Sequence, residues 1–375
     1  MKILFTGGGT GGHFYPIMAV ADELHELVKE YRLIPPELTF MAPSAYNAGM
    51  LYDRGIVFNK NYAGKRRLYF SILNFFDIFK TAWGVITSFF TVFSIYPDVI
   101  FGKGGYASFP VLFAGKLLRI PIIIHESDMV PGRVNAWAAK FATKIAVSYQ
   151  ETTKFFSEKK VAHTGQPIRK ELMEPLHEGA YQFLKLSGDV PTILILGGST
   201  GAQIINDTLV DALPELVKNY QIIHQTGKIN FKDVVARTNT MLVNNPYKNR
   251  YRAFEYLDPL AMRMSVGIAN LIISRAGSAI FEIAVWGIPS IIIPITDSQG
   301  DHQRKNAYSY ARTKACVVLE ESNLTPNILI SEATRLLSNP AQLEVMKKAA
   351  LGFGNRNAAR AIAKEILAIA LRHEI

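Results

Sequence analysis

The stretch Lys2-Ile3-Leu4-Phe5-Thr6-Gly7-Gly8-Gly9-Thr10-Gly11-Gly12-His13 decides how this chain folds. Lys2 to Thr6 form a short apolar run of the kind that makes a buried strand. Pro16 and the run Ile17 to Val28 read as a helix, with Tyr15–Glu30 as its extent. A glycine-rich turn therefore joins a strand to a helix and carries a histidine. Backbone N–H groups and the positive start of a helix then face the same way, which suits an anionic ligand.

The bulk numbers agree with a large globular protein. At 375 residues the chain suits two domains. Apolar content is 49%, charged content 19% and net charge +10. That charge implies an anionic partner: nucleic acid, an acidic lipid surface or a phosphorylated substrate. A merely basic surface gives the same number. Cys316 is the single cysteine and sits in the apolar run Ala315-Cys316-Val317-Val318, so a disulfide frame or a cysteine metal site is excluded. The N-terminal apolar run breaks at glycines, too early for a signal peptide. No apolar run nears the roughly 20 residues of a membrane span. These features predict a cytoplasmic protein.

Strand and helix signals alternate along the first half. Strands are predicted at 3–6, 38–41, 99–101, 121–125 and 144–148, and helices at 15–30, within 70–95, at 109–118 and at 133–141. The polar stretch from Gly165-Gln166-Pro167-Ile168-Arg169 to Asp189 reads as a linker. Thr192 to Leu196 then restart a strand, followed by Gly197-Gly198-Ser199-Thr200-Gly201-Ala202 and a helix. The fold class is α/β, with two Rossmann-like domains of doubly wound parallel sheet. The expected division is residues 1–166, a hinge at 167–190, residues 191–350, and a C-terminal helix within 351–375 that can cross back to the first domain.

Residues 65–96 stand apart. They open with Lys65-Arg66-Arg67 and then carry Phe75, Phe76, Phe79, Trp83, Phe89, Phe90 and Phe93. Apolar residues fall on more than one helical face, where a core helix keeps a polar one. The functional reading is a membrane contact, aromatics dipping into the interface and Lys65, Arg66, Arg67 and Lys80 meeting anionic headgroups. The plainer reading is two core helices joined near 71–74 or 87–88.

Gly7, Gly9 and Gly12 satisfy a G-x-G-x-x-G spacing. A dinucleotide site also needs an acid ending the second strand, and Met41-Ala42-Pro43-Ser44 supplies none. Neither turn ends in the lysine–serine or lysine–threonine of a P-loop. A third glycine turn, Gly102-Lys103-Gly104-Gly105-Tyr106, follows another strand. His13 lies at the helix start, where the positive dipole disfavours protonation and leaves an imidazole able to accept a proton. A capping or packing histidine is the alternative. His125-Glu126 ends a strand at the same sheet edge, and Glu282 lies on the helix after Arg275-Ala276-Gly277-Ser278, where a glutamate can take two ribose hydroxyls or be an ordinary helix-surface acid. No Asp-x-Asp pair occurs, so a departing diphosphate would be stabilised by N–H groups, helix starts and cations.

Gly8-Gly9-Thr10-Gly11-Gly12-His13 with Pro16 resembles the opening of the MurG family of bacterial N-acetylglucosaminyltransferases, in glycosyltransferase family 28. The likeness continues through Gly104-Gly105-Tyr106, His125-Glu126, residues 165–169, residues 197–202, Ser274-Arg275-Ala276-Gly277, His302-Gln303 and Asn306-Ala307. The resemblance implies a GT-B fold and inverting, metal-independent transfer from UDP-N-acetylglucosamine to lipid I, without cofactor. It implies His13 as base. It assigns donor contacts to Thr10, Gly11, Gly12, Asp128, Arg169, Ser199, Leu257, Ser278, Ala279, Glu282, His302 and Gln303. Gly9, Gly104, Gly105, Tyr106, His125 and Glu126 would take the acceptor. The family's membrane-facing patch falls on Lys65, Arg66, Arg67, Phe75, Phe76, Phe79 and Trp83. Implied partners are the donor, lipid I, anionic membrane lipids and other cell-wall synthesis proteins, not nucleic acid, and the implied location is the cytoplasmic membrane face. Three positions depart from the pattern: Asp128 replaces asparagine, Gln166 replaces asparagine, and the segment before Glu282 is one residue short. The rivals are another glycolipid transferase, a UDP-sugar epimerase, an NAD-dependent oxidoreductase and a non-catalytic cell-wall partner.

Overall fold

A computed structural model describes residues 1–64, 73–198, 201–296 and 299–373. The chain forms two compact units, one of residues 1–169 with 356–375 and one of residues 170–355.

The first unit is built on seven parallel strands: β1 (Lys2–Thr6), β2 (Glu37–Ala42), β3 (Ile56–Lys60), β4 (Val99–Gly102), β5 (Ile122–Glu126), β6 (Lys144–Val147) and β7 (Val161–His163). Their spatial order is β3-β2-β1-β4-β5-β6-β7. Central strands are apolar throughout because helices cover both faces. Ile3 and Phe5 enter one core with Phe14, Ile17, Leu24 and Phe101. Leu4 enters the other with Ile100, Val111 and Ile124. The final helix, Ala358–Ala370, belongs to the first of these cores. Its Ala359, Ile362, Ala363, Ile366 and Leu367 form an apolar stripe at helical spacing. Arg360 ties it to Glu23 (3.3 Å) and Glu30, and Glu365 meets Lys144 at 3.3 Å.

The second unit has six parallel strands: β8 (Thr192–Leu196), β9 (Gln221–Gln225), β10 (Tyr251–Phe254), β11 (Ala269–Ser274), β12 (Ser290–Ile292) and β13 (Cys316–Val318). Their order is β10-β9-β8-β11-β12-β13. Leu194, Leu196 and Ile272 face one core, and Ile193, Ile195 and Ile273 the other. His224 on β9 is wholly buried and bridges Asn206 Oδ1 (2.9 Å) and the Tyr251 hydroxyl (3.0 Å), which pins the helix Gln203–Asn219 to the sheet. Burial pushes its pKa down to about 3, so it is a neutral structural pin.

Four expectations differ from what is observed. The edge strands β3 and β7 have no counterpart among the predicted strands, because their residues are partly exposed and their apolar runs are short, Ile56-Val57-Phe58 and Val161-Ala162. The helix after the first glycine turn begins at Gly11, not Tyr15. The stretch read as a linker is packed: Ala180, Leu184 and Leu186 enter the core of the second unit, and Trp286 Nε1–H donates to the Leu172 carbonyl at 2.7 Å. Finally, the helix Leu73–Ile95 runs unbroken through Thr87-Ser88, and its Phe75–Ile95 part is long and apolar enough to cross a membrane. The threonines, serines and charges that interrupt its apolar run do not stop it qualifying.

Ile366 has no exposed surface. Ile366→Ala should destabilise the first unit by about 3 kcal/mol, read as a lower urea midpoint. A midpoint equal to wild type would mean that the helix adds nothing to that core.

Candidate functional site

Each sheet reverses its strand order once, between β1 and β4 in the first unit and between β8 and β11 in the second. The loops leaving two such strands diverge to opposite faces and open a crevice at their carboxyl ends. In the first unit the loops are Gly7–Thr10 and Lys103–Gly105. They meet: a Cβ placed on Gly105 would lie 3.3 Å from His13 Nε2. Lys103 N–H donates to the Thr6 carbonyl at 2.8 Å, extending the β1–β4 ladder into the turn. Gly104 has φ +83°, and a side chain there would strike the Asn135 amide at 2.6 Å, so only glycine fits.

His13 is in the first helical turn and half-buried. Thr10 precedes the helix, yet its hydroxyl does not cap it; it lies 3.1 Å from His13 Nδ1. When Nδ1–H donates to Thr10, Nε2 keeps its lone pair and faces the Gly105 turn. The pKa of His13 is lowered to about 4, first by burial and then by Lys103, with Asp128 pulling the other way. Burial, which the sequence did not show, is the first cause of the lowering.

Gly9 and Thr10 are exposed, and the hydroxyl of the half-buried Tyr106 borders Gly9. Gly11 is buried against Tyr15 and Tyr46, and Gly12 is half-buried. Arg169 is buried, its guanidinium 4.1 Å above the Tyr15 ring. His125 and Glu126 end β5 but turn inward. His125 Nε2–H donates to the Gly165 carbonyl at 3.0 Å, and burial holds its pKa well below the usual value. Glu126 accepts from the backbone N–H of Asp128 (3.0 Å), that of Gly132 (2.9 Å) and Asn135 Nδ2 (2.9 Å). Burial and the nearby Asp128 raise its pKa, while those donors favour the carboxylate. Glu126 thus shapes the 127–132 loop, where the sequence pointed to a ligand contact. Asp128 itself is half-buried.

In the second unit the loops at the reversal are 197–202 after β8 and 275–278 after β11. Gly201 has φ +81°, with Thr226 O and Asn230 Nδ2 each 2.5 Å from where a Cβ would sit. Ser199 lies outside the described residues, as do Lys65, Arg66 and Arg67. Ser278 precedes the helix Ala279–Trp286, whose first turn holds Glu282; all three named site residues there are half-buried. Asn306 Nδ2 donates to the Ala276 carbonyl at 3.1 Å and ties the helix His302–Arg312 to this loop. His302 and Gln303 open that helix, and Gln303 Oε1 accepts from the Ile295 N–H at 3.2 Å. Leu257 is buried, and its N–H donates to Gln225 Oε1 at 3.0 Å. Arg275 is held by Glu321 at 2.8 Å. Among the described residues no group of three or more His, Cys, Asp or Glu side chains is placed to hold a metal ion.

Sequence reasoning missed Lys103 and Asn135. Lys103 is almost wholly buried, its ammonium donating to Ser127 Oγ and, at 3.5 Å, to Gln166 Oε1. A lysine inside a glycine turn was the available signal. Asn135 had none, because its role follows from the helix Arg133–Ala138 folding back under β5.

On the helix Leu73–Ile95, Gly84, Ser88 and Val92 are buried at four-residue spacing. A side chain at Gly84 would overlap the Tyr62 carbonyl. Phe75, Phe76, Phe79 and Trp83 are each more than half exposed, at 59%, 62%, 60% and 57%.

Glu126→Gln replaces one accepting oxygen with a donor facing N–H groups. It should cost about 2 kcal/mol and speed amide exchange at Asp128 and Gly132. Unchanged exchange at both would remove Glu126 as the loop's anchor.

The glycosyltransferase family 28 N-terminal domain matches residues 3–147, and its C-terminal domain residues 192–366. A UDP-N-acetylglucosamine--N-acetylmuramyl-(pentapeptide) pyrophosphoryl-undecaprenol N-acetylglucosamine transferase of Bacillus cereus is 36% identical over 97% of this chain and 99% of its own length. A transferase of the same description from Clostridium kluyveri is 34% identical over 93% of this chain and 95% of its own. The crystal structure of Acinetobacter baumannii MurG is similar with TM-score 0.73 and 25% identity, over 98% of this chain and 99% of that one. A UDP-GlcNAc 2-epimerase from Neisseria meningitidis, 15% identical with TM-score 0.67 over 98% of this chain and 100% of that one, shares the fold.

Proposed function

Because the chain belongs to glycosyltransferase family 28, we propose that it transfers N-acetylglucosamine from UDP-N-acetylglucosamine to the muramoyl 4-hydroxyl of lipid I, giving lipid II. The observation that carries this reading is 36% identity to a transferase of that description over 97% of the chain. The reaction is inverting and needs no metal. The acceptor hydroxyl attacks the anomeric carbon from the side opposite UDP, and His13 Nε2 takes its proton. An imidazole with a pKa near 4 is uncharged at neutral pH and free to do so.

Gly9, Gly104, Gly105 and Tyr106 line the acceptor side, with His125 and Glu126 setting the loop beneath it. In the second unit, the 197–202 turn with Ser199 and the N–H groups at Ser278 and Ala279 stabilise the departing diphosphate. Glu282 holds the ribose, the Leu257 carbonyl the uracil, and His302 with Gln303 the sugar. Thr10, Gly11, Gly12, Asp128 and Arg169 complete the donor contacts.

The helix Leu73–Ile95 rests in the plane of the cytoplasmic membrane face. The stripe at Gly84, Ser88 and Val92 supports this, because it is packed inward while the aromatics project from the other side. Anionic lipids attract the basic Lys65-Arg66-Arg67. The lipid-linked acceptor is met there, beside other cell-wall synthesis proteins.

Transfer of radiolabel from UDP-N-acetylglucosamine to a lipid I analogue, in the presence of a chelator, tests the reaction. His13→Ala should lower kcat by about a hundredfold or more with the fold intact; near-normal turnover would end the base assignment. Replacing Phe75, Phe76, Phe79 and Trp83 together by serine should lower binding to phosphatidylglycerol vesicles about tenfold or more while leaving thermal stability close to wild type. Undiminished binding would remove the helix from the membrane contact.

A further inference from the structure

Thr10 stands where a helix-capping side chain belongs, yet it does not cap. Its backbone is extended (φ −149°, ψ 162°), and the helix Gly11–Glu30 begins at the next residue. A threonine so placed ordinarily turns its hydroxyl oxygen to the N–H two or three residues on. Thr325 does this in the same chain: with φ −129° and ψ 158° it accepts from the Ile328 N–H at 3.3 Å. At the first helix the corresponding N–H, that of His13, goes to the Thr10 carbonyl at 3.1 Å, and that of Phe14 goes there too, at 3.2 Å. The Thr10 hydroxyl lies instead 3.1 Å from Nδ1 of the His13 ring. Thr10 and His13 hold the two positions whose side chains reach toward each other at a helix start.

The ring is thereby held from two sides. Nδ1 meets Thr10, and Nε2 lies 3.3 Å from where a Cβ on Gly105 would sit. Gly105 has φ +76° and no side chain to fill that space. Among the described residues, Thr10 is the ring's only hydrogen-bond partner. A neutral imidazole has one N–H and one lone pair, so what happens at Nδ1 decides what Nε2 offers. With Nδ1–H donating to the hydroxyl oxygen, Nε2 presents its lone pair to the Gly105 turn. With the hydroxyl donating to Nδ1, an N–H at Nε2 would face that turn without an acceptor. The first arrangement strands no donor.

We propose that the Thr10 hydroxyl is the orienting partner of His13: it forgoes the helix cap to accept from Nδ1–H, which fixes the ring and selects the tautomer whose Nε2 takes the acceptor's proton. The proposal rests on the transferase reading for the source of that proton. The acceptor O–H bond breaks with its proton passing to the Nε2 lone pair, the oxygen bonds to the anomeric carbon, and the bond to UDP breaks with its electron pair leaving on the β-phosphate. Nδ1–H stays hydrogen-bonded to Thr10 throughout, and Thr10 neither gains nor loses a proton. Thr10 is thus a positioning residue that acts through His13.

Long-range proton–nitrogen NMR of the full chain, labelled with nitrogen-15 at histidine, reads the tautomer of each ring. The His13 signals are assigned by their loss in His13→Gln. At neutral pH the ring is uncharged, its pKa being lowered to about 4. Wild type should carry the proton on Nδ1. Thr10→Val, which keeps the shape and removes the hydroxyl, should move it to Nε2. The same variant should lower kcat for transfer to a lipid I analogue about tenfold or more, with KM for UDP-N-acetylglucosamine little changed. Thr10→Ser should restore the tautomer and the turnover. Because no cap is lost, Thr10→Val should unfold at a temperature close to wild type.

A proton on Nε2 in wild type, or a tautomer unchanged in Thr10→Val, overturns the proposal. So does a Thr10→Val that raises only KM for the donor, which would make the hydroxyl a donor contact. Earlier unfolding with the tautomer kept would make it a helix cap and also overturns the proposal. Should Thr10→Val not fold, Thr10→Ala against Thr10→Ser decides it by the same readouts. Absence of transfer in wild type would remove the transferase reading and leave the tautomer to judge Thr10. Normal transfer with an unmoved tautomer would remove the role of Thr10 alone.

Discussion

A parallel sheet covered by helices on both faces can offer a ligand only its ends. Both units of this chain live under that constraint. The faces are spent on core: Ile3 and Phe5 on one side of β1, Leu4 on the other. What remains is the carboxyl edge, and there a crevice opens only where consecutive loops part company. The β1–β4 and β8–β11 reversals are those places. The glycine turns, His13, Lys103, Ser278 and Glu282 all fall at or beside them.

Within the first unit the polar residues are organised by burial. Glu126 spends its carboxylate on Asp128 N–H, Gly132 N–H and Asn135, and so fixes the loop that presents Asp128. His125 does the same for the Gly165 carbonyl. Neither faces outward. The residues that do, Gly9 and Thr10, are small and bring backbone rather than side chains to a ligand. Such a turn can offer N–H groups to an anion, and His13 stands in the first turn of the helix that follows it.

How much of this was legible in the sequence follows from what each residue's neighbours are. Central strands such as Thr192–Leu196 read plainly, because burial on both faces demands an unbroken apolar run. The edge strands Ile56–Lys60 and Val161–His163 did not, because one side of each is wet. Gly11 and Gly12 disfavour a helix in isolation, so its true start was hidden; Gly11 lies buried against Tyr46 from outside the helix. The segment that holds Ala180, Leu184 and Leu186 looked like a linker because polar and charged residues, with Pro167 and Pro175, dominate it and its apolar residues follow no regular period. The glycine turns and His13 were visible as a pattern, but Lys103 and Asn135 gain their meaning only from distant segments. The aromatic helix was noticed for its composition, whereas its inner stripe, Gly84 and Ser88, appears only once Tyr62 is seen lying against it.

The first unit is also discontinuous in the chain: residues 1–169 are completed by 356–375. During vectorial synthesis the β1–β7 sheet emerges from the ribosome long before the helix Ala358–Ala370 that closes one of its faces. For the whole time needed to translate the intervening 170–355 segment, the groove that will receive Ile362 and Ile366 is an open apolar surface in a nascent chain. The second unit, continuous in sequence, carries no such debt and can finish first. The core of the first unit is therefore completed only after the residues of the second unit have been made.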